Sequence, residues 1–426
     1  PLLLRGARQV GKTTLVRDFS TDFPHFIEVN LEHPEEAEFY NRHSDVVVWL
    51  QAIFLRAGIP WSERSECLVF IDEIQSVSKA VHQLRYIYEG AAEIPVIAAG
   101  SLLEALFKGS KPAPVARVQY MVIRPFDFKE YLEAIAPHLS SSLEIPDQQQ
   151  LIHPELLKHF NRYATIGGMP EVVSHYAQHQ DLTALGTLYN QFRTAYLEDV
   201  PSYAKSPAHA GLLQNTLEQS YLVSGTRITL KDFGKSVQSG RGLSEAMHIL
   251  EKSHLLNLTY PTNQTSLPPF RNMRQKPRLQ CLDIGLTNYI CGLQVGLIGI
   301  SDLSSVYVGR VAEQVVGQVL RAQARTKQLE LTFWTREKST PAEVNFVTPH
   351  LGQLLPIEVK SGASGKLRSL NEFMDACPHT LAVRLYAGDI NVHEATTRLG
   401  KTYTLVNLPY YLAGNLPFWL KHLVGR

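Results

Sequence analysis

No uninterrupted apolar run in this sequence reaches the roughly 18 residues that a membrane-spanning helix requires. A helical membrane protein is therefore excluded, and the chain reads as soluble with no membrane partner. Cysteine is scarce: Cys67, Cys281, Cys291 and Cys377 form no CxxC pair and are too few for a disulfide framework, so a reducing cytoplasm is the expected home. Neither sign of charge prevails, with 41 Lys and Arg against 40 Asp and Glu, so bulk attraction to polyanions is absent and any nucleic-acid contact must come from a local patch. Nor is the chain disordered in composition, because 44% of it is hydrophobic and only 19% charged. An initiating methionine is missing as well: Pro1 stands inside an apparent strand, which implies that residues precede it, and a removed targeting segment is compatible with that start. At 426 residues, roughly two to four domains are expected.

What is present begins at once. Gly6-Ala7-Arg8-Gln9-Val10-Gly11-Lys12-Thr13 fits GxxxxGK[ST], after the apolar segment PLLL and before a helical pattern over Thr14–Phe19. Glycines at both ends let the loop curl with its N–H groups inward, and the helix start adds positive partial charge, so a phosphate-binding loop over Gly6–Thr14 is expected. Lys12 is placed to hold the β- and γ-phosphates of ATP, and Thr13 to ligate Mg2+. A second segment, "ECLVFIDEIQ", reads as a buried parallel strand, Cys67–Ile71, that delivers Asp72 and Glu73 to its C-terminal end, where ligands bind in open α/β sheets. Asp72 is assigned to the magnesium shell and Glu73 to polarising the attacking water as general base. Two adjacent acids also suit the start of a helix. "HFIEVNLE" and "IPVIAAGS" supply further strands, and "VARVQYMVIRPFDFKEYL" a fifth with Arg117 near its start. Arg117 either touches nucleotide in its own chain, reaches the site of a neighbour in an oligomer, or is a surface charge.

The order GARQVGKTTL, LVFIDEIQ, AAGS and R-x₇-PFDFKEYL resembles the bacterial and archaeal ATP-binding proteins of the AAA+ superfamily that carry a C-terminal domain of unknown function. The likeness covers nearly the whole chain, with later landmarks at Gly167-Gly168-Met169-Pro170-Glu171, at "AYLEDV" around Asp199, at "CLDIGL" around Asp283, and at "EVNFV" followed by "PIEVKSG". It implies an ATPase, and it places Ser101 where the superfamily has a polar sensor of the γ-phosphate. Ser101 equally suits the N-cap of a helix SLLEALF. Ala7 departs from a proline usual in such proteins, without loss of any donor beyond the backbone.

Four segments are expected: a P-loop ATP-binding domain over 1–128, a helical lid over 129–205, a winged-helix-like segment over 206–265, and a restriction-endonuclease-like domain over 266–426. The fold class is thus α/β, a parallel-sheet P-loop NTPase (AAA+-like) domain followed by lid, winged helix and a second α/β domain. Helical periodicity marks 129–205, interrupted by the polar stretch Ser140–Gln150, which reads as a flexible insertion. From Ile228, helix, glycine-containing turn, helix and apolar strand follow in winged-helix order, with Leu243–Lys252 as recognition helix offering Ser244, Glu245 and His248. Such a module contacts DNA or merely packs against protein, and Glu245 would repel phosphates. Arg271, Arg274, Lys276 and Arg278 then fall within one short segment, either a wing that neutralises phosphates or a solvated loop.

The tail "LTFWTREKSTPAEVNFVTPHLGQLLPIEVKSG" alternates apolar and polar residues through two strands. Glu358 and Lys360 share one face of the second. The arrangement resembles the restriction-endonuclease-like fold, which implies a metal-binding acid on the first strand, with Glu358 binding magnesium, Lys360 orienting water, and Glu313 as a further acid. Asn345 stands where the resembling proteins usually carry aspartate. An amide lacks the charge a hard divalent cation wants, so a degenerate site is expected at Glu313, Asn345, Glu358 and Lys360, with Glu358 and Lys360 free to pair with each other. Glu343, two residues earlier on the same face, does not replace the missing acid. Three functions follow: an ATPase acting on a protein or DNA partner, a slow ATP-dependent switch or defence protein, and, disfavoured by Asn345, an ATP-regulated nuclease.

Overall fold

The computed structural model describes residues 1–101, 117–229, 233, 240–298, 306–323, 331–336, 342–360 and 367–425. Residues 1–124 together with 252–255 form one compact unit, and residues 125–251 with 256–323 and the described residues from 331 onward form a second.

The first unit is built on five parallel strands, β1 (Leu2–Arg5), β2 (His25–Asn30), β3 (Cys67–Asp72), β4 (Val96–Ala99) and β5 (Gln119–Val122), in the order β2-β3-β4-β1-β5. Side chains alternate between the two faces of a strand, and here both faces are apolar. Leu3, Val69, Ile71 and Ala98 pack on one face against Trp49, Leu50 and Phe54 of the helix Val46–Ala57 and against Leu84 and Ile87 of the helix Ser78–Gly90. Leu4, Leu68, Phe70 and Ala99 face the other way, with Val16 of the helix α1 (Lys12–Phe19). Every residue of β3 is buried, so the strand has no polar alternation, and its first charged residue, Asp72, falls at the strand end. The helix Val46–Ala57 starts where Asp45 accepts a hydrogen bond from the Val47 N–H at 2.7 Å and stops at Gly58.

The second unit opens with helices. Phe128–Ile135 begins at a capping box in which the Asp127 carboxylate accepts from the Glu130 N–H and the Glu130 carboxylate from the Asp127 N–H, both at 2.9 Å. Gln149–Ile166, Pro170–His179 and Leu185–Asp199 follow, as the periodicity of 129–205 predicts. The stretch Ser140–Gln150 is not a loose insertion. It folds into two 3-10 turns that bury Ser142 and Leu143, with the Gln149 amide donating to the Ser142 carbonyl at 2.5 Å and the Trp419 indole to the Leu143 carbonyl at 3.2 Å. Its serines satisfy turns, and polarity alone hid the buried leucine.

Two sequence landmarks more than a hundred residues apart prove to be one structural joint. The fully buried Asp283 accepts hydrogen bonds from the Gly168 N–H at 2.8 Å, the Leu286 N–H at 2.9 Å and the Gln318 amide at 3.1 Å. It caps the helix Ile284–Ile290 and pins the turn before Pro170. Gly167, at φ +75°, has no room for a side chain, since a Cβ there would lie 2.1 Å from an Asp283 carboxylate oxygen.

After the helix Gly240–Lys252, β6 (Leu256–Thr259) pairs antiparallel with β8 (Arg278–Cys281), and Arg227 bridges to Arg278. The intervening β7 (Pro261–Thr262) instead joins β9 (Thr332–Thr335) of the tail. The boundary expected at residue 265 thus falls beside a strand that already belongs to the C-terminal sheet. That sheet has the order β13-β14-β12-β11-β10-β9-β7, with β10 (Glu343–His350), β11 (Gln353–Val359), β12 (Leu381–Tyr386), β13 (Asn391–Thr396) and β14 (Thr402–Pro409). β9, β10 and β11 run as an antiparallel meander, β11, β12 and β14 are parallel, and β13 is an antiparallel edge.

Candidate nucleotide-binding site

The site lies at the C-terminal end of the parallel sheet, where β1, β3, β4 and β5 release the chain. Gly6 leaves β1 at φ +141°, and a Cβ there would lie 2.3 Å from the Ile123 carbonyl oxygen, so only glycine lets the loop turn beside the end of β5. The chain re-enters regular structure at Lys12, the first residue of α1. Lys12 is buried, and its ammonium donates to the Ala7 carbonyl at 2.7 Å and the Gly6 carbonyl at 3.1 Å. The cation is thus held inside the ring of the loop that the sequence predicts for phosphate, with Arg8, Gln9, Val10 and Gly11 completing the turn and Thr13 and Thr14 opening the helix.

Thr13 and Asp72, 59 residues apart, meet here: the threonine hydroxyl donates to one carboxylate oxygen of Asp72 at 2.7 Å. The other oxygen accepts from the Glu73 N–H at 2.9 Å. Glu73 follows the strand at φ +47°, a left-handed conformation that costs a non-glycine residue roughly 1 kcal/mol or more. Its carboxylate accepts a hydrogen bond from the Gln75 side-chain amide. Burial raises the pKa of Glu73, the neighbouring Asp72 raises it further, and Gln75, Lys12 and Arg8 act in the opposite direction. A carboxylate with an elevated pKa is better matched to taking up a proton near neutral pH.

Ser101 is buried just past β4, which lies between β1 and β3, so it sits between the loop strand and the acid strand; the helix expected after it lies outside the described residues. Arg117 does not join this group within the chain. It is half exposed and forms an ion pair with Glu89 at 2.9 Å, because its position before β5 is at the opposite end from the loop. The arginine at the ligand end of β5 is Arg124, which sequence reading passed over although the strand end marked it. Its Nε is closed off from solvent with no hydrogen-bond partner, and burial lowers its pKa. His254, from a distant part of the chain, belongs to this unit as well, and no sequence signal foretold it.

The residues fit a magnesium–nucleotide: a buried lysine within the loop, a hydroxyl and a carboxylate already in register, and a buried arginine with an unused donor. Lys12 and the loop would hold the phosphates, and Thr13 and Asp72 the cation.

The tail site is different. Arg278 donates to the Asn345 carbonyl at 3.2 Å, pairs with Glu313 at 3.3 Å, and also pairs with Glu343, to which Arg227 adds a second contact at 3.2 Å. The Glu358 carboxylate takes the Lys360 ammonium at 2.7 Å, and its burial raises its pKa. The Asn345 side-chain oxygen accepts from the Val359 N–H at 2.9 Å. Guanidinium and ammonium groups thus neutralise the carboxylates that a metal would need, and among the described residues no group of three or more His, Cys, Asp or Glu could hold one. Magnesium does not fit here. Arg278, expected either in a phosphate-neutralising wing or in a solvated loop, is withdrawn into this cluster, because its position on β8 turns it toward acids contributed by other elements. Arg274 and Lys276 remain exposed, while Glu245 of the expected recognition helix is paired with Lys205 at 2.7 Å.

Residues 1–132 match the family model of an AAA domain, residues 157–296 that of a domain of unknown function (DUF8612), and residues 308–411 that of a second domain of unknown function (DUF4143). No curated protein matches the chain. The first match, with the five-stranded parallel sheet, supports an AAA-like P-loop nucleotide-binding unit at the N-terminus and suggests ATPase activity. Among the described residues, no helix is long and apolar enough to cross a membrane.

Proposed function

We propose that this protein is a cytoplasmic magnesium-dependent ATPase whose hydrolytic cycle drives a conformational change on a protein or nucleic-acid partner. The observation that carries it is the 2.7 Å bond between Thr13 and Asp72, which joins the two halves of a magnesium site across the sheet. Magnesium, when bound with ATP, supplies neutralising charge for the phosphates. Lys12 binds the β- and γ-phosphates and stabilises the charge that builds on the leaving oxygen. Glu73 accepts the proton of a water as that water's oxygen bonds to the γ-phosphorus and the bond to the β–γ bridging oxygen breaks, leaving ADP and phosphate. Ser101, buried just past β4, is assigned as a hydrogen-bond donor to the γ-phosphate.

The Gln75 amide on the Glu73 carboxylate favours a second reading, a slow nucleotide-dependent switch. The base is engaged by a neighbour and must let go before it can take a proton. The tail is read as a non-cleaving module, since Arg278 and Lys360 neutralise its acids. DNA contact through Ser244, His248, Arg274 and Lys276 is a candidate partner role, and for Arg117 to reach the site of a neighbour in an oligomer it would have to leave Glu89. Surrendering an exposed ion pair costs at most about 1 kcal/mol.

The test is steady-state phosphate release from magnesium ATP by the parent chain, Lys12→Ala and Glu73→Gln, each with and without duplex DNA. Release abolished by both substitutions establishes the ATPase, and DNA stimulation names the partner class. Tight ATP binding without release by the parent identifies the switch instead.

A further inference from the structure

His254 is carried by the turn between the helix Gly240–Lys252 and β6, far in sequence from the phosphate loop, yet the tetrapeptide 252–255 packs as part of the N-terminal unit. The turn holds His254 at φ +61°, a left-handed backbone uncommon among residues other than glycine. Ser253 and Leu255 on either side are buried and anchor it. The histidine's Nε2 is sealed from solvent and has no hydrogen-bond partner. A buried ring nitrogen without a partner is costly, and its persistence asks for a group that is present only part of the time.

The surroundings say which group. Burial first, and then the positive charges of Arg124, Arg5 and Lys12, push the pKa of His254 down to about 3. No acid opposes these charges in that shift. Three positive charges act on the imidazole, and one of their bearers, Arg124, also has a buried Nε without a hydrogen bond. Two sealed donors within a cationic enclosure beside the loop lysine describe a site for an anion with several oxygens. The phosphates of a nucleotide in the loop would lie within the same enclosure.

We propose that His254 is a nucleotide-contacting residue, donating from Nε2 to a phosphate oxygen of the nucleotide bound by the loop, with Arg124 as its partner on the same phosphates. The assignment rests on the nucleotide reading of the site. It adds a contact from a segment some 240 residues downstream of Lys12, so nucleotide binding fixes a turn whose two ends continue into Gly240–Lys252 and β6.

The experiment measures the Kd of magnesium ADP and magnesium ATP for the full chain, comparing the parent with His254→Phe, His254→Gln and Lys12→Ala. Phenylalanine keeps the ring volume and removes the donor; glutamine places an amide N–H at about the same reach. The expected result is a loss of about tenfold in affinity for His254→Phe and at most about threefold for His254→Gln, the size of one hydrogen bond to a charged oxygen. Equal affinity in His254→Phe and the parent, or equal loss in Phe and Gln, overturns the proposal. If the parent binds no nucleotide, or Lys12→Ala binds as well as the parent, the nucleotide reading fails instead, and the two failures are thereby told apart. Should His254→Phe not fold, nitrogen NMR of histidine-labelled parent decides: the Nε2 resonance that is missing in His254→Gln must shift on ADP addition, and an unmoved resonance overturns the assignment.

Discussion

The hydroxyl of Thr13 and the carboxylate of Asp72 are joined at 2.7 Å, a contact between the first turn of α1 and the end of β3. In the absence of a cation this bond occupies the ligands with each other. These two groups are the ones read as holding magnesium when it enters with ATP, so ATP affinity should depend steeply on the metal. We expect the parent to bind ATP at least about tenfold more weakly in EDTA than in magnesium, and Asp72→Ala to show the same weak binding in both. Calorimetry with each metal condition gives the ratio, and an Asp72→Ala ratio equal to the parent's removes Asp72 from the metal shell.

Gln75 restrains Glu73, so releasing it should speed chemistry. Gln75→Ala is expected to raise phosphate release severalfold while Gln75→Ala with Glu73→Gln stays inactive. A slower single variant would mean that Gln75 positions the base for catalysis and does not hold it back.

Gly6→Ala forces a methyl group to 2.3 Å from the Ile123 carbonyl, at a φ of +141°. The two effects together should cost about 2–3 kcal/mol of stability and displace the loop. Denaturant melts should show the loss, and nucleotide should no longer raise the melting temperature.

Arg278→Ala leaves Glu313 and Glu343 without their shared guanidinium. The expected cost is about 2 kcal/mol, below the roughly 3–5 of a fully buried pair because these carboxylates are partly solvated. The denaturant midpoint measures it. Plasmid incubated with magnesium or manganese and the parent chain should remain uncut, and cleavage that Lys360→Ala abolishes would reverse the reading of the tail.

Acid should weaken the nucleotide-free protein partly through His254. Its folded pKa, about 3, lies below its value of about 6.5 in an unfolded chain, so between those limits the unfolded state takes up a proton that the folded state refuses. Stability is complete above pH 6.5 and falls as pH drops toward 3. The melting temperature of the parent should therefore decline more than that of His254→Gln between pH 7 and 5, and parallel curves would contradict it.

Much of the N-terminal site was legible because its chemistry is local. A glycine-framed loop before a helix, and two acids after an all-apolar strand, each carry their meaning within ten residues, and the sheet then brings Lys12, Thr13, Asp72 and Glu73 together. What escaped depends on distant partners. Arg278 read from its basic neighbours as either a wing or a solvated loop, but acids at 313 and 343 claim it. Asp283 was a landmark by resemblance alone, and nothing in "CLDIGL" announces that its carboxylate holds the backbone of Gly168. His254 lies in no motif, and its place by the loop is set by tertiary packing.

The Asp283 joint has a practical consequence for anyone dividing this chain. The helices over 128–199 look like an excisable bundle, but their central turn is tied down by a carboxylate that the chain supplies only at residue 283 and that Gln318 steadies from further on. Cutting at 205 would leave the Gly168 N–H without its acceptor and the turn without its latch. Fragments ending there should be proteolytically soft, and a cut after Arg124 would in turn part residues 1–124 from 252–255, which pack with them.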